Sequence, residues 1–173
     1  EAIQAANTNL AVDACAAGTV GLDNIVFNLG GGTPTINVLT QLPAITEPVV
    51  LNGATGGATR IELNGGNLGS NVHGLNLAAG NSTIRSLVIN RFTGAGIQST
   101  TQGGNTIQNC LIGVNSAGTV ALANARGIFL DNTANNLIGG SAANTGNVIA
   151  GNSNDGIQIS GQSATGNQML GNF

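Results

Sequence analysis

The chain has 173 residues, of which only 6% are charged, and its formal net charge is −3 at pH 7. Its basic residues are four scattered arginines with no lysine, so it offers no basic stripe to nucleic acid and we expect no nucleic-acid partner. Because 41% of the residues are hydrophobic while apolar runs are short, we expect a folded chain with no membrane span.

The first seven residues (EAIQAAN) are rich in alanine, and Ile3 and Ala6 are one helical turn apart. This spacing predicts a short helix. A helix at the end of a repeat array covers the open end of its apolar core. We therefore predict a capping helix and lead-in over residues 1–20, followed by a single repeat domain over residues 21–173.

The rest of the chain is repetitive. Glycine followed by an aliphatic residue recurs at Gly74, Gly96, Gly127 and Gly156, with spacings of 22, 31 and 29 residues. The apolar segments between the Gly and Asn turns are too short for helices. Such units bury their apolar side chains only when they stack, with strands about 4.8 Å apart. The pattern predicts an all-β fold, a parallel β-helix (β-solenoid) of about six coils, with residues 114–125 and 139–146 as loops inserted into it.

Alternation within the repeats separates inward from outward residues. It predicts that Ile128, Leu130, Ile157 and Ile159 are fully buried and stacked in register. Phe129 is then an aromatic side chain on a polar outer face and a candidate for surface contact.

Two further columns follow from the same alignment. Arg126 is placed beside Asp155 on the next coil, as a surface ion pair.

The 25 asparagines also have a structural explanation, since Asn tolerates left-handed turns and can bond to the next coil. The Asn residues that precede apolar positions predict a structural ladder, comprising Asn81, Asn105, Asn136 and Asn167.

The remaining reactive residues are few, and we predict neither a metal site nor a cofactor. Cys15 and Cys110 have no metal-ligand spacing. Cys110 aligns with Leu87 of the preceding coil, which predicts a buried small hydrophobe. His73 is the only histidine, and we expect it to be a solvated residue of an outer column.

Several segments together resemble a known family, the bacterial extracellular proteins that open with the CSLREA motif. The similar segments are residues 1–7 (EAIQAAN), 23–27 (DNIVF), 42–46 (LPAIT), 48–53 (PVVLNG), 80–84 (GNSTI), 87–92 (LVINRF), 136–140 (NLIGG) and 146–152 (GNVIAGN). The resemblance implies a right-handed β-helix, secretion or surface display in bacteria, a longer parent chain that begins upstream of Glu1, and no agreed activity. It also implies that Cys15 pairs with a cysteine upstream.

We therefore expect a non-enzymatic extracellular scaffold or adhesion module that can self-assemble end to end into a filament. Its partners would be other copies of itself or further repeats of the parent chain. The alternative is a carbohydrate-active enzyme (polysaccharide lyase or hydrolase) or a glycan-binding module that uses an outer face. Arg126, Asp131 and Asp155 are the candidate catalytic group for that alternative, although an ion pair and a capped turn explain them more simply.

Overall fold

The structure is a computed structural model that describes all 173 residues. It contains one helix, α1 (Ala2–Thr8), and fifteen short strands. The strands are β1 (Asp23–Ile25), β2 (Thr35–Asn37), β3 (Val49–Asn52), β4 (Ile61–Asn64), β5 (Leu75–Leu77), β6 (Thr83–Arg85), β7 (Leu87–Asn90), β8 (Ala95–Thr100), β9 (Thr106–Gln108), β10 (Leu111–Ile112), β11 (Arg126–Asp131), β12 (Leu137–Gly139), β13 (Val148–Ile149), β14 (Ile157–Ser160) and β15 (Gln168–Leu170).

The strands form three parallel sheets, and from β3 onward every third strand joins the same sheet. The first sheet has the order β1-β3-β6-β9-β12-β15, the second β13-β10-β7-β4-β2, and the third β14-β11-β8-β5. In the first turn, Ile45 takes the place of a strand in the third sheet through a parallel bridge to Leu77. The predicted parallel β-solenoid is confirmed, with about five turns and β15 as the start of a further one.

Inward-facing side chains on successive turns lie directly above one another. In the third sheet Ile128 pairs with Ile97 on one side and with Ile157 on the other. Ile97 and Ile128 are completely buried. The core is therefore a set of apolar columns running along the solenoid axis, as period-two alternation predicts.

Helix α1 covers the N-terminal end of this core. Ile3 and Ala6 are buried and belong to the same apolar cluster as Ile25 of β1. This confirms the predicted capping helix. At seven residues it is far too short to cross a bilayer, and no other helix is present.

The other end of the core is open, which corrects one prediction. Ile157 is only half-buried and Ile159 is 41% exposed, because no further strand pairs with the outer edge of β14. Met169 and Leu170 of β15 are equally exposed. The register of the repeats was predicted correctly, whereas full burial of Ile157 and Ile159 was wrong.

The inserted loop after β10 folds back over the outer face of the second sheet. Val114 pairs with Ala121 in an antiparallel bridge. Val88 points outward from β7, yet it is completely buried in a small cluster with Leu111 and Val114. The loop thus gives the solenoid a second, smaller apolar cluster outside its axis.

Candidate functional site

A column of asparagines runs along the corner that precedes the first sheet. The side-chain oxygen of Asn136 accepts the backbone N–H of Asn105 (3.1 Å), and that of Asn167 accepts the backbone N–H of Asn136 (2.9 Å). The Asn136 amide also donates to the Asn167 oxygen (2.8 Å). Each turn thereby satisfies a backbone donor of the turn before it, at a corner where strand pairing is interrupted.

Asn81 does not belong to this ladder, and its place is taken by Ser82. Thr83 pairs with Thr106, so Ser82 is the residue aligned with Asn105, whose side-chain oxygen accepts the Ser82 backbone N–H (3.0 Å). Asn81 instead adopts a left-handed backbone (φ 58°) and is exposed. The aligned residues on the later turns, Gly104, Asn135 and Gly166, have positive φ as well.

Two more asparagine ladders occupy the other two corners, and the sequence analysis did not identify either of them. Asn124 donates its amide to the Asn152 oxygen (3.1 Å), and Asn147 donates to the Asn172 oxygen (2.9 Å). The sequence does offer one signal for these ladders, because Asn147 comes directly before the apolar residue Val148. No asparagine of the three ladders has positive φ, so the two roles proposed for Asn are carried out by separate residues.

The outer face of the third sheet carries the residues that were candidates for chemistry. Nε of Arg126 lies 3.9 Å from Oδ2 of Asp155, too far for a hydrogen bond but within range of an ion pair. The side chains are 33% and 52% exposed, so water screens the pair and it contributes about 0 to 1 kcal/mol. The guanidinium carbon of Arg126 also lies 5.5 Å from the centre of the Phe129 ring, a cation–π arrangement.

His73 lies in the same column as Arg126 but is not the fully solvated residue that we expected. Its Nδ1 accepts the backbone N–H of Ala95 (2.9 Å), and the side chain is half-buried. Burial and, to a smaller extent, the positive charge of Arg126 lower the pKa of His73. The neutral imidazole with its proton on Nε2 is therefore the form that fits this site.

The two carboxylates of the candidate catalytic group are far apart. Asp155 aligns with Arg126 at the start of β11, whereas Asp131 is the last residue of that strand, five positions later. At about 3.3 Å per residue, this separates the two acids by roughly 16 Å along the strands. The carboxyl pairs of glycosidases lie within about 5 to 9.5 Å. No group of three or more His, Cys, Asp or Glu side chains is close enough to hold a metal ion.

The two cysteines lie in contrasting environments and are both free thiols. Cys110 is completely buried, in the column that continues from Leu87, and burial raises its pKa to about 12. Cys15 is half-buried near α1, in an antiparallel bridge with Val12.

These features define a parallel β-solenoid whose corners are held by asparagine ladders. Asp131 and Asp155, the two acids of the candidate catalytic group, lie five positions apart along neighbouring strands. Comparisons with protein-family models, curated proteins and solved structures find no match to this chain.

Proposed function

We propose that this chain is a non-enzymatic structural scaffold or adhesion module, displayed outside a bacterial cell and able to associate end to end. The observation that carries the proposal is the asymmetry of the two ends. Helix α1 packs on the core at one end, whereas Ile159, Met169 and Leu170 are 41–42% exposed at the other. Extracellular display and bacterial origin rest on the resemblance to the CSLREA proteins alone.

The open edge is chemically suited to receive another coil. The outer edge of β13 is already occupied by Phe173, whose N–H donates to the backbone oxygen of Asn147 (2.9 Å) and whose oxygen accepts the Ile149 N–H (2.9 Å). Strands β14 and β15 each have one neighbour, so their outer edges carry unpaired backbone N–H and C=O groups. Such edges pair readily with other strands. A further coil of a longer chain and a second copy of this chain would both satisfy them, and a contact between copies that does not close on itself produces a filament.

Sedimentation velocity over a range of protein concentrations tests this association. We expect oligomers that grow with concentration for the wild-type chain, and a monomer for Ile159→Asp, which places a charge in the exposed edge. Val120→Asp is the matched control, because Val120 is also an exposed aliphatic residue (54%) but lies on the loop after β10. A wild-type chain that stays monomeric at high concentration would exclude the filament.

The second candidate is a glycan-binding module on the outer face of the third sheet. The favouring observation is the side chain of Phe129, held beneath Arg126 and flanked in register by Gln98 and Gln158. An aromatic ring with adjacent amides can stack on a sugar and bond its hydroxyl groups. Hydrolysis or lyase chemistry on this face has no comparable support, because Asp131 and Asp155 are far apart.

Calorimetric titration with neutral polysaccharides tests the second candidate. Phe129→Ala should abolish binding, whereas Phe27→Ala, at the other end of the solenoid, should not. Equal binding by the wild type and by Phe129→Ala would remove this face from consideration.

A further inference from the structure

The corner between the first and second sheets holds two of the four arginines, and neither has a carboxylate partner. Arg60 precedes β4 and Arg85 ends β6, and the chain's only salt bridge is the one between Arg126 and Asp155. Two shallow depressions of about 480 and 340 Å³ lie beside this corner and share Asn109 and Asn144 as a common wall. Arg60 lines the larger one and Arg85 the smaller one, and no Asp or Glu lines either.

Arg60 is held in place by a residue two turns further along the solenoid. Its Nε donates to the backbone oxygen of Asn109 (3.3 Å), and one Nη donates to the Asn109 side-chain oxygen (2.7 Å). The Asn109 amide in turn donates to the Ser86 hydroxyl (3.1 Å). A guanidinium has five N–H donors, so three of those on Arg60 have no acceptor within the protein. The planar group is already oriented, which lowers the entropy lost when it binds an anion.

Arg85 lies on the turn next to that of Arg60, one residue out of register with it. Ile61 pairs with Leu87, so Arg60 aligns with Ser86, the residue directly after Arg85. The Arg85 side chain is exposed and has no hydrogen-bond partner in the protein. Two like charges on adjacent turns repel one another, and a bound anion would relieve that repulsion.

The remaining lining indicates which anion would fit. The smaller depression is lined mainly by amides and hydroxyls, including Asn52, Gln108 and Thr145, and Ala54 is its one hydrophobic residue. Such groups suit the hydroxyl groups of a sugar better than the apolar side chains of a peptide. A nucleic acid is disfavoured, because the chain as a whole carries a net charge of −3 and the two depressions together offer only one aromatic side chain for base stacking, Phe173 in the larger one.

We propose that Arg60 and Arg85 form a binding site for the carboxylate or sulfate groups of an acidic polysaccharide. Arg60 would hold one anionic group in a fixed geometry, and the exposed Arg85 would bind a second. The site goes beyond the scaffold role, since it requires no association between copies. It also lies on different residues from the Phe129 face.

Calorimetric titration at low salt, with three polysaccharides, tests the proposal. The ligands are polygalacturonate for carboxylate, dextran sulfate for sulfate and unmodified dextran as the neutral form. We expect at least one polyanion to bind and dextran not to bind. The double variant Arg60→Gln/Arg85→Gln should lose about tenfold or more in affinity, because charge-assisted bonds are lost. Binding by only one polyanion identifies the group that is recognised.

The matched control is Arg91→Gln, which removes one exposed arginine outside both this corner and the Phe129 face and should bind within about twofold of wild type. Arg85→Gln alone provides a second test, since Arg85 makes no bond whose loss could unfold the chain, and its affinity should fall severalfold. Four results would overturn the proposal: no binding of either polyanion, equal binding of dextran, equal losses in Arg85→Gln and Arg91→Gln, or tighter binding of single-stranded DNA, titrated as a fourth ligand, than of either polyanion.

Discussion

Ile157 of β14 stacks in register on Ile128 of β11, but the two side chains differ in burial. Ile128 is enclosed by Ile97 on one side and Ile157 on the other, whereas Ile157 has a neighbour on one side only. Ile128→Ala should therefore lower the free energy of unfolding by about 2 to 5 kcal/mol, and Ile157→Ala by distinctly less. Urea unfolding followed by circular dichroism measures both. Equal losses would mean that β14 is covered in solution.

The asparagine ladder should contribute to stability through particular residues. Asn136→Ala leaves the buried backbone N–H of Asn105 without its acceptor. We expect a loss of about 1 to 3 kcal/mol in the free energy of unfolding. The control is Asn81→Gly, which should change stability by less than about 0.5 kcal/mol, since Asn81 is exposed and its left-handed backbone suits glycine. A larger loss of unfolding free energy for Asn81→Gly than for Asn136→Ala would contradict the assignment of Asn136, and not Asn81, to the ladder.

Stability should fall on mild acidification because of His73. Its folded-state pKa lies below the ordinary value of 6.5, so the unfolded chain binds more protons as the pH falls through that value. The stability that neutral His73 contributes to the fold is therefore fully present above pH 6.5 and is lost progressively below it. Thermal melting at pH 7.5 and pH 5.5 should show a larger drop for wild type than for His73→Gln. The same drop in both proteins would assign the effect to other groups.

The two thiols should differ in reactivity. At pH 8, Ellman's reagent should label Cys15 in the native chain but not Cys110, whose pKa of about 12 and complete burial suppress the thiolate. Denaturation in guanidinium should make the second thiol, Cys110, accessible to the reagent. Cys15→Ser provides the control, because the native variant should then show no rapid labelling. Rapid labelling of Cys110 in that variant would mean that the core opens near β10.

Local pattern was enough to predict the capping helix, the solenoid and the pairing of Arg126 with Asp155. These features depend on alternation and on the spacing of glycines, both of which are visible within one or two repeats. The position of Asn81 was harder to predict, because a ladder requires each side-chain oxygen to reach a particular backbone N–H on the turn before. A shift of one residue moves an asparagine from the ladder to the left-handed turn.

Only the tertiary structure decided which residues are covered and which distant residues meet. Ile159 has the sequence of a core residue but is exposed, since burial in a solenoid requires a turn on both sides. Val88 has an outward position but is buried, since a loop inserted after β10 folds over it. Arg60 and Asn109 are 49 residues apart in sequence, and they meet because the turns between them stack at strand spacing despite their unequal lengths.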